Sequence, residues 1–183
     1  MIPRSLGLRF VIDTNRINAR RGLPSMNQIE KWYEDDIFEL FIPEDAQWES
    51  VRSKNQQRTA KALSYIALEV LAETPEEQQI LKQIETILSP NGTKSPNDHR
   101  DAKIVFTAWK YFAPLITNDG QSKSQPGGIL GHASDLLNQL NVIVMQDIEA
   151  VTLIEQKILE RDTEARRFAL QAGEPIPGWV GKD

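Results

Sequence analysis

The sequence predicts an α/β protein of three layers, a central and mostly parallel sheet held between helices, with a C-terminal helical extension. Three observations predict it. Short apolar runs alternate with longer amphipathic stretches along most of the chain, and strands that alternate with helices pair in parallel. The 183 residues are enough to bury a core without disulfides, and there is no cysteine to form one. Acidic residues also follow directly on two of the apolar runs, at the edge of such a sheet where ligands bind.

The elements follow in order. Residues 8–12 form an apolar run ending in Asp13-Thr14-Asn15, a buried strand that meets a turn. Pro24 and Ser25 open a helix expected to reach about Asp36, and residues 37–42 form a second strand closed by Pro43. Asp45 is placed to cap the next helical stretch, with Trp48, Val51, Ala62, Ile66 and Val70 as its apolar contacts, and helices are expected from there to Leu88. Within that region Thr74 caps and Pro75 takes the first helical position of a new helix. Residues 89–96 are dense in turn formers and read as an exposed loop, after which Asn97 or Asp98 opens a helix to about Phe112. Residues 114–117 form a third strand and 142–145 a fourth, separated by a Gly/Ser/Pro-rich loop over 121–131 and a helix over 133–140. Beyond these, Val151, Ile154, Ile158, Arg161, Ala165, Phe168 and Ala172 recur at spacings of three and four, a helix expected to lie on the body of the domain, with a short coiled-coil contact to a partner as the alternative. A tail containing Trp179 and Val180 follows, with apolar anchors suited to docking on a neighbour. The expected organisation is one domain over residues 1–150 and a C-terminal helix and tail over 151–183.

Composition narrows the chemistry. Without cysteine there is no thiol catalysis and no cysteine-ligated zinc or iron–sulfur site, and zinc would have only two histidines. The apolar run near the N-terminus is too short for a signal peptide and no stretch approaches a membrane span, so the expected location is cytoplasmic and no membrane partner is expected. A net charge of −5 argues against a surface that attracts nucleic acid everywhere. Converging carboxylates that bind cations would account for part of that acidity.

Asp13 and Asp119 each follow the last apolar residues of a strand, so both are expected to point into one cleft. Asp101 shares its helical stripe with Ile104, Val105, Ala108 and Phe112, and a charge on a buried stripe is costly unless a cation or several donors meet it. Asp98, one turn earlier, is the better candidate for a cap. Glu49 is preferred to Glu44 and Asp45 because Trp48 and Val51 suggest a partly buried helix there. Thr14 and Asn15 are placed to bond a carboxylate, a water or a phosphate. For gripping an anionic substrate the candidates are Arg16, Arg52, Lys94, Arg100 and Lys123, with Asn118 beside Asp119. His99 and His132 have no convincing catalytic setting. A phosphatase of the haloacid-dehalogenase type needs a second aspartate where Asn15 stands.

Four segments, Val11-Ile12-Asp13-Thr14-Asn15, Ile42-Pro43-Glu44-Asp45-Ala46-Gln47-Trp48-Glu49, Asp98-His99-Arg100-Asp101-Ala102-Lys103-Ile104 and Leu115-Ile116-Thr117-Asn118-Asp119, come in the order and approximate spacing seen in PIN-domain ribonucleases. The chain resembles that family over residues 9–148. The resemblance implies a PIN-like fold in which Asp13, Glu49, Asp101 and Asp119 bind one or two Mg²⁺ or Mn²⁺ ions and hydrolyse RNA. Such cations supply charge neutralisation and an activated water to phosphodiester hydrolysis. Many members are toxins paired with an antitoxin, so an antitoxin or other protein partner and a homodimer stay open. So does a catalytically inactive PIN-fold module that only docks a partner. The chain departs from the family pattern after Asp119, where Gly120 stands in place of a further acid.

Overall fold

A computed structural model describes residues 2–17, 22–52, 55–90, 92, 95–120 and 127–183. Its centre is a five-stranded sheet in the order β3-β2-β1-β4-β5, with every neighbouring pair parallel. The strands are β1 (Arg9–Ile12), β2 (Glu39–Pro43), β3 (Ile66–Leu68), β4 (Leu115–Ile116) and β5 (Val144–Met145). β1 is the middle strand, where Val11 aligns with Phe41 on one side and Leu115 on the other. Its apolar residues are buried on both faces, which explains why it reads as a continuous run rather than an alternating one.

The helices are α1 (Pro24–Glu34), α2 (Glu44–Val51), α3 (Gln56–Leu63), α4 (Pro75–Leu88), α5 (Pro96–Lys110), the single turn α6 (Gly128–Gly131), α7 (Ala133–Leu140) and α8 (Asp147–Ala172). α1 packs with α8, while α4 packs with α5 and α7, giving the two helical layers. The chain winds outward from β1 to β3, then returns over the sheet to place β4 on the other side of β1. Right-handed crossovers in opposite directions leave the sheet on opposite faces, so the carboxyl ends of β1 and β4 border a crevice.

Several expectations change. Ile66 belongs to an edge strand and not to a helix, so the sheet has five strands where four are expected. Asp45 sits in the first turn of α2 behind the cap residue Pro43. α5 is capped by Ser95, whose Oγ accepts from Asp98 N at 3.2 Å while the Asp98 carboxylate accepts from Ser95 N at 2.9 Å. Asp98 is thus the reciprocal half of a capping box. α5 ends at Lys110, leaving Phe112 in a left-handed conformation (φ 51°) and exposed. Part of the expected 121–131 loop, residues 128–131, forms α6.

α8 begins at Asp147, and its buried line is Ala150, Ile154, Ile158, Arg161, Asp162, Ala165 and Ala169, so Phe168 faces outward. Gly173 ends the helix in the left-handed conformation glycine favours. The tail then folds back on its own chain. Trp179 lies over the Arg161 guanidinium at 4.6 Å, Gly181 N donates to Asp162 at 2.6 Å, and Asp183 accepts from Arg161 at 2.7 Å and from Arg4. Among the described residues no helix is long and apolar enough to cross a membrane.

Candidate active site

Because β1 stops at Ile12, Asp13 emerges at the carboxyl edge of the central strand, where Asp13 N donates to Ile116 O of β4 at 3.0 Å. Its side chain is buried, only 5% exposed as a residue, and Oδ2 accepts from Thr117 Oγ1 at 2.6 Å and Asn15 Nδ2 at 2.5 Å. Burial raises the Asp13 carboxyl above the ordinary carboxylate range, opposed by the Thr117 hydroxyl and reinforced by the nearby charge of Asp119. The 3₁₀ turn Thr14–Arg16 then carries the chain away.

Asn15 joins the β1 and β4 loops. Its Nδ2 also donates to Thr117 Oγ1 at 3.1 Å, while its Oδ1 accepts from Asn118 N at 3.1 Å and from Arg16 Nε at 2.9 Å. Arg16 is buried, and its Nη1 lies 3.5 Å from Asp147 of α8. With its amide oriented to suit its neighbours, Asn118 accepts from Arg16 Nη1 at 3.0 Å and donates to Thr117 O at 3.3 Å. Arg16 and Asn118 therefore brace the loops from behind and do not line the cavity in front of Asp13.

That cavity, about 390 Å³, is lined by Asp13, Asp101, Asp119 and Glu49 together with Thr14 and Asn15. The four acids come from β1, α5, the β4 loop and α2, and the topology brings them to one opening. Asp119 is held by its loop, where Oδ2 accepts from Ile129 N at 2.9 Å and Asp119 N donates to Thr117 Oγ1 at 3.0 Å. A Cβ on Gly128 would lie 2.5 Å from Asp119 Oδ2 and 2.4 Å from Gly120 N, so only glycine fits this approach. Gly120 itself has φ 104°, a conformation L side chains rarely adopt.

Asp101 differs from the others in having no hydrogen-bond donor among the described residues. Burial, and after it the charges of Asp119, Asp13, Asp98 and Glu49, push its carboxyl up to about 7. Glu49 is the outermost acid, its side chain 47% exposed, accepting from Thr14 Oγ1 at 3.4 Å and lying 3.8 Å from Arg100 Nη1. α2 is partly buried as expected, but through Ala46 and Ser50, while Trp48 beside Glu49 is 54% exposed.

Three lining or bracing residues escaped the sequence reading: Thr117, Asn97 and Arg58. Thr117, fully buried, could have been found as the polar residue closing the Leu115-Ile116 run. Asn97 lines the cavity from the first turn of α5, and its Oδ1 accepts from Arg100 Nη1 at 3.3 Å. Arg58 arrives through the β2 to β3 crossover and had no local signal. Its Nη2 donates to Thr14 O at 2.9 Å, and its Nε is buried with no partner. Arg58 and Arg100 are the cations of the cavity wall. Arg52 lies in the adjoining cleft, while Lys94 and Lys123 fall outside the described residues. His99 bonds Glu85 at 2.6 Å, away from the cavity.

The donor set is all oxygen, as Mg²⁺ and Mn²⁺ prefer. As the side chains stand, no three His, Asp or Glu among the described residues are drawn together tightly enough to enclose one ion. The carboxylates instead ring an opening, where burial first and then the charges of the other acids raise the proton affinity of Asp101, and four acids face only Arg58 and Arg100 on the cavity wall. That excess suits a cation, so the residues fit one.

No family model matches the chain, and no curated protein matches it. Among solved structures it is similar to a chain in the crystal structure of VapBC2 from Rickettsia felis bound to a DNA fragment from their promoter. The TM-score is 0.47 at 16% sequence identity, over 76% of this chain and 98% of that one. So remote a likeness carries no weight for chemistry.

Proposed function

We propose that this chain is a metal-dependent endoribonuclease of the PIN-domain kind, cutting RNA phosphodiesters at the Asp13, Glu49, Asp101 and Asp119 cavity. The observation that carries the reading is the meeting of those acids at the switch between β1 and β4, with Asp101 pushed to about 7 by burial and by the others. Asp13, Asp101 and Asp119 would hold Mg²⁺ or Mn²⁺, with Glu49 as a further ligand or as the group that orients the attacking water. When bound there, such a cation would supply neutralisation of phosphate charge and a water of lowered pKa.

This chain's own residues do the rest. Thr117 and Asn15 fix the Asp13 carboxylate, which cannot turn away without losing both bonds. Arg58, anchored through Nη2 on Thr14 O with Nε unpartnered, offers hydrogen-bond donors to a phosphate oxygen, and Arg100 offers a second cation at the rim. Catalysis then belongs to residues 1–150 and a bracing role to 151–183, with RNA as the substrate. A protein partner of antitoxin kind belongs to the same proposal on the strength of the sequence resemblance.

One observation favours a second reading, a docking module with an idle pocket: the acids do not close on a single point. Incubation of the protein with a labelled single-stranded RNA in Mg²⁺, Mn²⁺ or EDTA separates the two. The nuclease reading expects cleavage that EDTA abolishes and that Asp13→Asn lowers by at least about a hundredfold, the loss of several kcal/mol of charge stabilisation. Absence of cleavage in every metal, or cleavage indifferent to Asp13→Asn, would leave the module.

A further inference from the structure

Beside the acidic cavity lies a second cleft of about 330 Å³, lined by Asp45, Trp48, Glu49, Arg52 and Arg100. Glu49 and Arg100 line both, so the two share a wall. The cleft differs from the cavity in charge. Asp45 is paired with Lys103 at 2.9 Å and Glu49 faces Arg100, while Arg52 makes no ion pair among the described residues. The lining of this cleft holds as many cations as acids, Arg52 and Arg100 against Asp45 and Glu49, in contrast to the net negative wall around Asp13.

Trp48 gives the cleft its character. The indole is 54% exposed, and its Nε1 donates to Glu44 Oε1 at 2.9 Å, one turn back on α2. That bond satisfies the polar edge of the ring and fixes its tilt while leaving much of the ring in solvent. An aromatic surface next to guanidinium groups is the arrangement that holds unpaired nucleic acid, with bases stacking on the ring and phosphates meeting the cations. A duplex keeps its bases stacked inside and offers this ring nothing.

We propose that Trp48, with Arg52 and Arg100, forms a nucleobase-stacking subsite for an unpaired nucleotide of the strand whose phosphate enters the Asp13 cavity. The inference rests on the nuclease reading, because it is the shared wall of Glu49 and Arg100 that makes an RNA strand, and not a protein partner, the occupant of the cleft. It adds that recognition is by stacking and favours single strands over duplex.

The test uses the full chain and a set of single-stranded oligoribonucleotides in which one abasic position is moved along the sequence. Binding is followed by fluorescence anisotropy in Mg²⁺ and cleavage by kcat and KM. The subsite requires that one abasic position weaken wild-type binding by about tenfold, that Trp48→Ala lose about as much on the intact strand, and that the abasic change cost the variant almost nothing more. Trp48→Phe, which keeps a ring, should recover most of the loss, and KM should carry it with kcat within about twofold. If Trp48→Ala still distinguishes abasic from intact strands, or the wild type never does, the subsite is wrong even where cleavage proceeds, and the exposed ring belongs to a protein contact. If the wild type neither binds nor cuts RNA, the nuclease reading falls and takes the subsite with it.

Discussion

The C-terminal clasp and the acidic cavity both bury acids, and they treat them in opposite ways. At the C-terminal clasp, Asp162 and Asp183 meet Arg161, and Asp183 also meets Arg4. Burial works against the Asp183 carboxylate, but the contacts with Arg4 and Arg161 outweigh it and hold the group below the usual carboxylate range. At the cavity, Asp13 and Asp101 are held above that range, first by burial and then by the charges of neighbouring acids, with no cation among the described residues drawn close enough to offset them. Every clasp charge has its opposite within the chain, whereas the cavity is short of positive charge. Unpaired charge at a sheet switch point, in a fold that pairs its buried acids elsewhere, is what the proposed cation site rests on.

The sharpest way to break the contrast is to neutralise one acid in each region. Asp101→Asn should lower RNA cleavage by at least about a hundredfold and raise the metal-free melting temperature, since it removes a repelled charge. Asp183→Asn should do the reverse, leaving cleavage near wild type and lowering the melting temperature by on the order of 5 °C as Arg161 loses a partner. Paired melts and rate measurements on the two variants check both halves. Equal effects of the two substitutions on both readouts would erase the distinction.

Gly128→Ala comes next in size. The added methyl would overlap Gly120 N and Asp119 Oδ2, so the Asp119 loop must shift, at a cost of about 1–3 kcal/mol. Cleavage should fall about tenfold or more even though no acid has been changed, and a urea titration alongside the kinetics measures the stability loss.

The smallest effect is in pH. Folded Asp101 keeps its proton up to about 7, while in the unfolded chain it lets go near pH ~4. The folded state therefore binds more protons between those values, and the stability this contributes is complete below the unfolded pKa and lost as pH rises through 7. Metal-free protein should show a lower urea midpoint at pH 8 than at pH 5, and Asp101→Asn should flatten the difference. Asp183 acts with the opposite sign, since its contribution is lost only in acid as pH falls through its depressed pKa, and so it leaves this window undisturbed.

What could be read in the sequence was local. β1 and β4 each pair an apolar run with an acid at its end, so strand and candidate site residue were visible together at Asp13 and Asp119. Thr74 before Pro75 announced α4 with its cap in place. β3 is not legible because an exposed edge strand of three residues has neither a continuous apolar run nor a clean alternation, and Ile66 reads as part of a helix. Ser95 was hidden because Pro96 looked like a loop residue when it occupies the first helical position. Arg58 and the inward-facing role of Arg16 depend on which elements cross in space, and no short stretch of sequence carries that. The tail was legible as something with apolar anchors, but its partner turned out to be Arg161 of the preceding helix.

The most direct measurement is the melting temperature of the wild type in EDTA and in millimolar Mg²⁺ or Mn²⁺, beside Asp13→Asn and Asp101→Asn. If the four acids share a divalent ion, saturating metal should raise the wild-type midpoint by roughly 5–10 °C and leave the variants nearly unmoved. A wild-type midpoint that stays where it is in EDTA would mean that the carboxylates at the ends of β1 and β4 do not take up a cation.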